Sequence, residues 1–161
     1  MIEFRPITNE NFRTCIELSP GEAGKKFVAE NVISIAQAYV AMTQKTCIPM
    51  PYAIYNDETM VGFMMMSFIR ADQDEDIDED IYEIWRFMID ESQQGKGYGK
   101  ASLLKAIEMI KTYPHGKADK IYLSYVPGNE TGSGLYKSVG FVETGNMDRG
   151  EVVMVYDLKK N

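Results

Sequence analysis

Along the chain, apolar positions recur with a period of about two residues in some stretches and about three and a half in others, an alternation that predicts strands interleaved with helices. Ile2 to Pro6 predicts an opening strand. Thr8 or Asn9 is placed to cap a helix reaching about Leu18, which Pro20 and Gly21 break. From about Glu22 to Gln44, Val28, Val32, Ile35, Ala36 and Tyr39 recur at helical spacing and predict one amphipathic helix with a single core face. Pro49 and Pro51 end that region. Tyr52 to Tyr55 and Met60 to Ile69 predict two strands around the turn Asn56-Asp57-Glu58. In the second strand Met64, Met65 and Met66 project to both faces of a sheet; they read as adaptable core filling, with a thioether wall beside an acyl slot as the alternative. Ile81 to Ile89 predicts a strand, followed by a glycine-rich turn and a helix to about Thr112 whose buried stripe is Leu103, Leu104, Ile107 and Ile110. A strand from Ile121 to Val126, a helix from about Glu130 to Val139 capped by Gly140, and strands at Phe141 to Thr144 and Val152 to Leu158 complete the pattern. With no repeat or linker, residues 1–161 read as one domain.

Composition narrows the function classes. The 161 residues are 45% hydrophobic and 25% charged, an ordinary globular balance in a chain long enough to bury its own core. A net charge of −7 and a pI near 4.8 argue against nucleic acid, whose phosphates require a basic footprint, and favour cationic partners. Cys15 and Cys47 lack metal-ligand or C-x-x-C spacing, so no metal is expected, and reduced thiols in a cytoplasmic protein are. MIEFRPITNE lacks a basic segment followed by an apolar run, and no stretch is long enough to span a bilayer. The negative charge is concentrated in Asp72, Asp74, Glu75, Asp76, Asp78, Glu79 and Asp80, either a solvated loop or a rim attracting a polycation. The D-x-D-x-D-G-x5-E spacing of a calcium loop is missing. His115, the single histidine, falls in the loop Tyr113-Pro114-His115-Gly116 and reads as incidental.

The chemistry centres on Gln94-Gly95-Lys96-Gly97-Tyr98-Gly99. A glycine-rich turn between a strand and a helix presents bare N–H groups and a helix N-terminus to an anion. The G-x-x-x-x-G-K-[ST] of a P-loop is missing, and the glycines are spaced G-x-G-x-G rather than G-x-G-x-x-G. What fits is Q-x-x-G-x-G at Gln94, Gly97 and Gly99, followed downstream by Asn129, Leu135-Tyr136 and Gly140-Phe141. Together these resemble the GNAT superfamily of acyl-CoA-dependent N-acyltransferases, with its [RQ]-x-x-G-x-[GA] turn and later N-x6-Y and GF patterns. The resemblance follows the element order of the whole chain. FVAENVISIAQAY, PYAIY, VGFMM, WRFMID, QGKGYGKA and YVPGN look like bacterial spermine/spermidine acetyltransferase-type members.

The resemblance implies an α/β fold: a mixed, mostly antiparallel sheet flanked by helices, with two splayed parallel strands, about 82–89 and 120–126, forming a CoA slot. It implies acetyl-CoA as cosubstrate, with Gln94, Gly95, Lys96, Gly97, Tyr98, Gly99 and Lys100 around the pyrophosphate, and Lys96 and Lys100 either adding charge or simply solvated. The pantetheine arm would run along Phe87, Met88 and Ile89. Asn129 would bond it, a role compatible with capping a helix. Tyr136 matches the tyrosine that protonates the leaving thiolate. An alkylamine with a pKa of about 10.4 must also lose a proton before it attacks. Trp85 stands where polyamine-acetylating relatives carry a carboxylate, which leaves Glu83, two residues earlier on the same face, as candidate base or amine-binding group, or as a strand-edge surface residue. The expected acceptor is a small cationic amine, a polyamine or diamine, and a homodimer is common in similar proteins. The alternatives are an aminoglycoside or a protein amino group as acceptor, or a CoA-binding sensor without turnover.

Overall fold

The computed structural model describes residues 1–160. Seven strands form one sheet in the order β1-β2-β3-β4-β5-β7-β6: β1 (Ile2–Pro6), β2 (Ile48–Asn56), β3 (Thr59–Ile69), β4 (Ile81–Ile89), β5 (Lys120–Tyr125), β6 (Val142–Asp148) and β7 (Glu151–Asp157). Every neighbouring pair is antiparallel except β4 and β5. Helices α1 (Phe12–Glu17) and α2 (Asn31–Gln44) cover one face, and α3 (Tyr98–Ile110) and α4 (Glu130–Ser138) cover the other. The expected mixed, mostly antiparallel α/β sheet is therefore present. The three methionines divide as strand alternation requires: Met64 and Met66 join the core under α3, and Met65 joins the core under α1 and α2, all fully buried.

Helix α2 departs from the sequence expectation in extent and in phase. Residues 22–30 do not extend it. They form successive turns, with Gly24 N–H donating to Gly21 O at 3.0 Å and Phe27 N–H to Gly24 O at 2.9 Å. That segment is tied across the end of β4, where Glu91 N–H donates to Ser19 O at 2.8 Å and Ser19 N–H to the Asp90 carboxylate at 3.0 Å. In α2 proper the sheet-facing residues are Asn31, Ser34, Ala38 and Ala41, whereas Val32 and Tyr39 point outward, Tyr39 with 68% of its surface exposed. The small side chains let the helix lie close to the sheet. Asn31 satisfies its buried amide by donating to Cys15 O at 2.8 Å, which joins α2 to α1. The stripe of α3 also shifts: Leu103, Ala106, Ile107 and Ile110 are buried, and Leu104 is 44% exposed.

Strand β2 starts earlier than predicted and includes both Pro49 and Pro51. They lie in the part of β2 that pairs with β3 but that β1 does not cover, since the β1 register stops at Tyr52. An uncovered strand edge is where a residue without an N–H is tolerated. No helix among the described residues is long and apolar enough to cross a membrane.

Candidate active site

The parallel pair β4 and β5 is bonded only at Tyr82–Ile121 and Glu83–Tyr122. On its other side β4 stays paired with β3 as far as Ile89, so beyond Glu83 the two parallel strands part and one edge of β4 is uncovered. This parting opens a cleft of about 970 Å³. Its walls are β4 from Ile84 to Ile89, the turn and first residues of α3, the end of β5, α4 and the segment of turns after α1. A bulge shapes the β4 wall. Met65 opposes Arg86 and Met66 opposes Ile84, which leaves Trp85 as the extra residue. Trp85 packs into the core under α2 and Arg86 reaches Gln37 of α2 at 3.3 Å, so two successive side chains lie toward one face; Phe87 then returns to the α3 side and Met88 to the α2 side.

The turn before α3 is built for close backbone approach. Gly95 and Gly97 have φ of +75° and +83°, and a Cβ at either would meet no protein atom within 4 Å. Both glycines line the cleft, so a side chain there would occupy space the protein leaves open. Gly97 caps α3 without a side-chain bond, and the N–H groups of the first helical turn have no intrahelical acceptors. Open space, backbone donors and the positive end of a thirteen-residue helix dipole together fit a pyrophosphate.

Not every residue expected around that anion faces it. Gly95, Gly97, Tyr98, Gly99 and Lys100 line the cleft, as do Phe87, Met88 and Ile89. Gln94 also lines it, but its amide donates to Ile89 O at 3.0 Å and Pro20 O at 3.2 Å, holding the turn against β4. Lys96 is outside the lining, its ammonium turned back onto Ser92 O at 3.1 Å and Gln93 Oε1 at 3.0 Å. Asn129 lines the cleft and caps α4, its side-chain oxygen accepting from Gly132 N–H at 3.0 Å.

Tyr136 of α4 also lines the cleft, with ring centroids 6.4 Å from both Tyr125 and Phe141. Burial, reinforced by the nearby Glu151 charge, pushes its phenol up to about 12. Glu151, the first residue of β7, lines the cleft and accepts from Ser124 Oγ of β5. Sequence reasoning missed it. Arg86 feels the charges of both Glu151 and Glu83; burial draws its pKa down, and its Nε is buried without a hydrogen-bond partner. Glu83 does not line the cleft. It accepts from Ser67 Oγ at 3.1 Å, and burial raises its carboxyl pKa, with Asp148 and Asp74 adding to the rise. Its placement is neither on the cleft wall nor at an exposed strand edge, since β4 pairs on both sides at Glu83.

The acidic segment also stays off the cleft lining. Asp72 pairs with Arg70, Glu79 with Lys120, and the Asp80 side chain accepts from Ala71 N–H at 3.0 Å, whereas Glu75, Asp76 and Asp78 are exposed. The segment of turns adds Lys25 and Lys26 to the opposite wall, Lys25 bonded to Glu22 at 2.5 Å. His115 contributes a backbone N–H to Tyr82 Oη at 3.2 Å, away from the cleft.

The acetyltransferase (GNAT) family model matches residues 19–141. The spermine/spermidine N(1)-acetyltransferase of Bacillus subtilis (strain 168) is 30% identical over 159 residues, covering 98% of this chain and 99% of that protein. Among solved structures, aminoglycoside acetyltransferase AAC(6')-Ib in complex with coenzyme A superposes with a TM-score of 0.77 at 18% identity, over 99% of this chain and 96% of the other. The spermidine N-acetyltransferase from Vibrio cholerae in complex with CoA and spermine superposes with a TM-score of 0.68 at 16% identity, over the same shares of the two chains. At these identities the structural likeness is one of fold.

Proposed function

Because this chain belongs to the acetyltransferase (GNAT) family and is an acetyl-CoA-dependent N-acetyltransferase, we propose that it acetylates a primary amine of a diamine or polyamine by direct attack, with Tyr136 as general acid. The observation that carries the choice of acceptor is the group of carboxylates beside the β4 bulge and off the cleft lining: Glu83, held by Ser67 Oγ at 3.1 Å, with Asp74 and Asp148 within its electrostatic reach. A linear polycation places a second ammonium some distance from the one that reacts, and carboxylates beyond the reaction centre complement it. The substrates named for the Bacillus subtilis relative support the same choice. Glu83, off the cleft lining, suits the amine-binding half of its expected role better than the base half. The reading also carries over from the resemblance a cytoplasmic enzyme of one domain, assembled as a homodimer.

When bound, acetyl-CoA supplies an activated thioester carbonyl. The chain does the rest. Gly95, Gly97 and the α3 N-terminus hold the anionic end, Gln94 fixes the turn to Ile89, and the uncovered edge of β4 offers backbone groups along which an extended arm bonds as a strand would. As the N–C bond forms and the C–S bond breaks, Tyr136 gives its phenolic proton to the departing sulfur, then regains one from the nitrogen as the amide forms. A phenol held near 12 is protonated throughout the neutral range and remains available as that donor.

The test is thiol release from acetyl-CoA with spermine, spermidine, a simple primary alkylamine, an aminoglycoside and a peptide amino terminus as acceptors. The highest kcat/KM with spermine or spermidine is expected. Preference for the aminoglycoside or the peptide would overturn the acceptor assignment, and binding of acetyl-CoA with no thiol release from any amine would favour a sensor.

A further inference from the structure

An ammonium entering the cleft has to leave a proton somewhere within reach. The cleft lining includes cationic, phenolic, amide and apolar side chains, and among the described residues that form it Glu151 carries the one carboxylate. Trp85, on the β4 wall, has an indole that only donates. Register places Glu151 at the mouth of the parting strands: Tyr125 at the end of β5 pairs with Val152, so Glu151 stands one residue beyond the β5–β7 ladder. Groups on three elements interact with its carboxylate. Ser124 of β5 donates to Oε2, Tyr136 of α4 lies within its electrostatic reach, and so does Arg86 of β4, which also feels Glu83. A carboxylate oxygen has lone pairs to spare beyond the one Ser124 engages. Glu151 and the phenol proposed to protonate the sulfur line the same cleft, within electrostatic reach of each other.

We infer that Glu151 binds the reacting ammonium and accepts its proton, with Ser124 fixing the carboxylate. This rests on the amine-acetylation reading above and names a base that it leaves open. One N–H bond breaks as a carboxyl O–H forms on Glu151; the neutral nitrogen then attacks, the N–C bond forms, the C–S bond breaks, and Glu151 releases its proton to solvent before the next turnover. Tyr136 completes its own proton cycle with sulfur and nitrogen. The sum is one acetyl amide, one thiol and one proton from one ammonium and one thioester. Before it takes that proton, the Glu151 charge helps hold the Tyr136 phenol in its protonated form.

The experiment compares wild type with Glu151→Gln, Glu151→Asp, Ser124→Ala and Glu83→Gln, measuring kcat/KM from pH 6 to 10 with spermidine, a simple primary alkylamine and an aminoglycoside, together with acetyl-CoA affinity by calorimetry and thermal melting. For Glu151→Gln a loss of about 10²–10³-fold near neutral pH is expected, within the range of a positioned base. Its rate should climb about tenfold per pH unit toward the amine's own pKa, because only unprotonated amine then reacts, while wild type is flatter. Glu151→Asp should recover part of the loss, Ser124→Ala should lose a few-fold, and acetyl-CoA affinity should stay within about twofold. The inference is overturned if Glu151→Gln keeps its rate within about threefold and its wild-type pH profile. It is equally overturned if the loss comes with weakened acetyl-CoA binding or lowered melting that Glu151→Asp does not restore, or if Glu83→Gln alone shows the steepened profile. The loss is expected with every accepted amine, so a wild type preferring the aminoglycoside would overturn the polyamine reading and leave the Glu151 comparison intact.

Discussion

One wall of the cleft is made of backbone and the other of side chains. Around the expected anion, Gly95, Gly97 and the first turn of α3 present N–H groups from a short contiguous stretch. Around the expected amine, Trp85 and Arg86 come from the β4 bulge, Ser124 from β5, Tyr136 from α4 and Glu151 from β7. The difference teaches how each wall can change. A backbone site tolerates most replacements of neighbouring side chains but not an added Cβ that fills it, whereas a side-chain site can be retuned one residue at a time. The donor should accordingly be fixed by the fold, and the acceptor by a few substitutable groups.

The sharpest test of that division lies on the side-chain wall. Tyr136→Phe removes one oxygen and should lower kcat by about 10²–10⁴-fold, with acetyl-CoA affinity within about twofold. The Tyr136 phenol is pushed to about 12, so wild-type kcat should show no alkaline fall from this group below about pH 11. A fall near pH 9 would assign the acid elsewhere. On the backbone wall, Gly97→Val puts a branched side chain at φ +83° in front of the turn and should raise KM for acetyl-CoA by about tenfold or more, with the ranking of amines unchanged. A changed ranking would break the separation of the walls.

Smaller effects are expected among the carboxylates outside the lining. Glu83→Gln should raise KM for spermidine about three- to tenfold and leave a monoamine nearly unaffected. It also has a stability signature. Burial raises the Glu83 pKa in the folded state, so this group's contribution is fully present below its unfolded value near 4.5 and is lost as pH rises through the folded value. Glu83→Gln should therefore melt higher than wild type at pH 8, and the difference should vanish near pH 4; a lower melting point at pH 8 would show that the charged form is favoured in the fold. The smallest effect belongs to the acidic segment. Neutralising the exposed Glu75, Asp76 and Asp78 should raise KM for spermidine by about twofold at low ionic strength and not at all in 0.5 M salt, because exposed charges are screened over about 10 Å at 0.1 M.

Legibility in the sequence followed the same division. The anion turn could be read because glycine spacing, a preceding strand and a following helix are all local, and the mixed sheet with its splayed parallel pair followed from resemblance along the whole chain. Glu151 could not be read, because its place depends on the β5–β7 register that carries it one residue past Tyr125. Nothing in a lone glutamate at the start of a strand marks that register. The segment from residue 22 to 30 was read as helix from Val28 and its spacing to later residues, but bonds from Ser19 to Asp90 and Glu91 hold it across the end of β4 as a cleft wall. Helix α2 misled the phase for a related reason: its core positions are Asn31, Ser34, Ala38 and Ala41, and periodicity weighted by hydrophobicity favours the larger residues that in fact face outward. The composition of the acidic run drew attention to a segment whose carboxylates lie outside the cleft lining.

Pro49 and Pro51 have a consequence for colloidal behaviour. The stretch of β2 that β1 leaves uncovered is a sheet margin, and such margins recruit strands from other molecules through unpaired donors and acceptors. Proline at two alternate positions removes two of the donors a recruited strand would use. Concentrated solutions of the protein are thereby protected against growth of the sheet from molecule to molecule at this margin, and Pro49→Val with Pro51→Val should lower the concentration at which β-rich aggregates form.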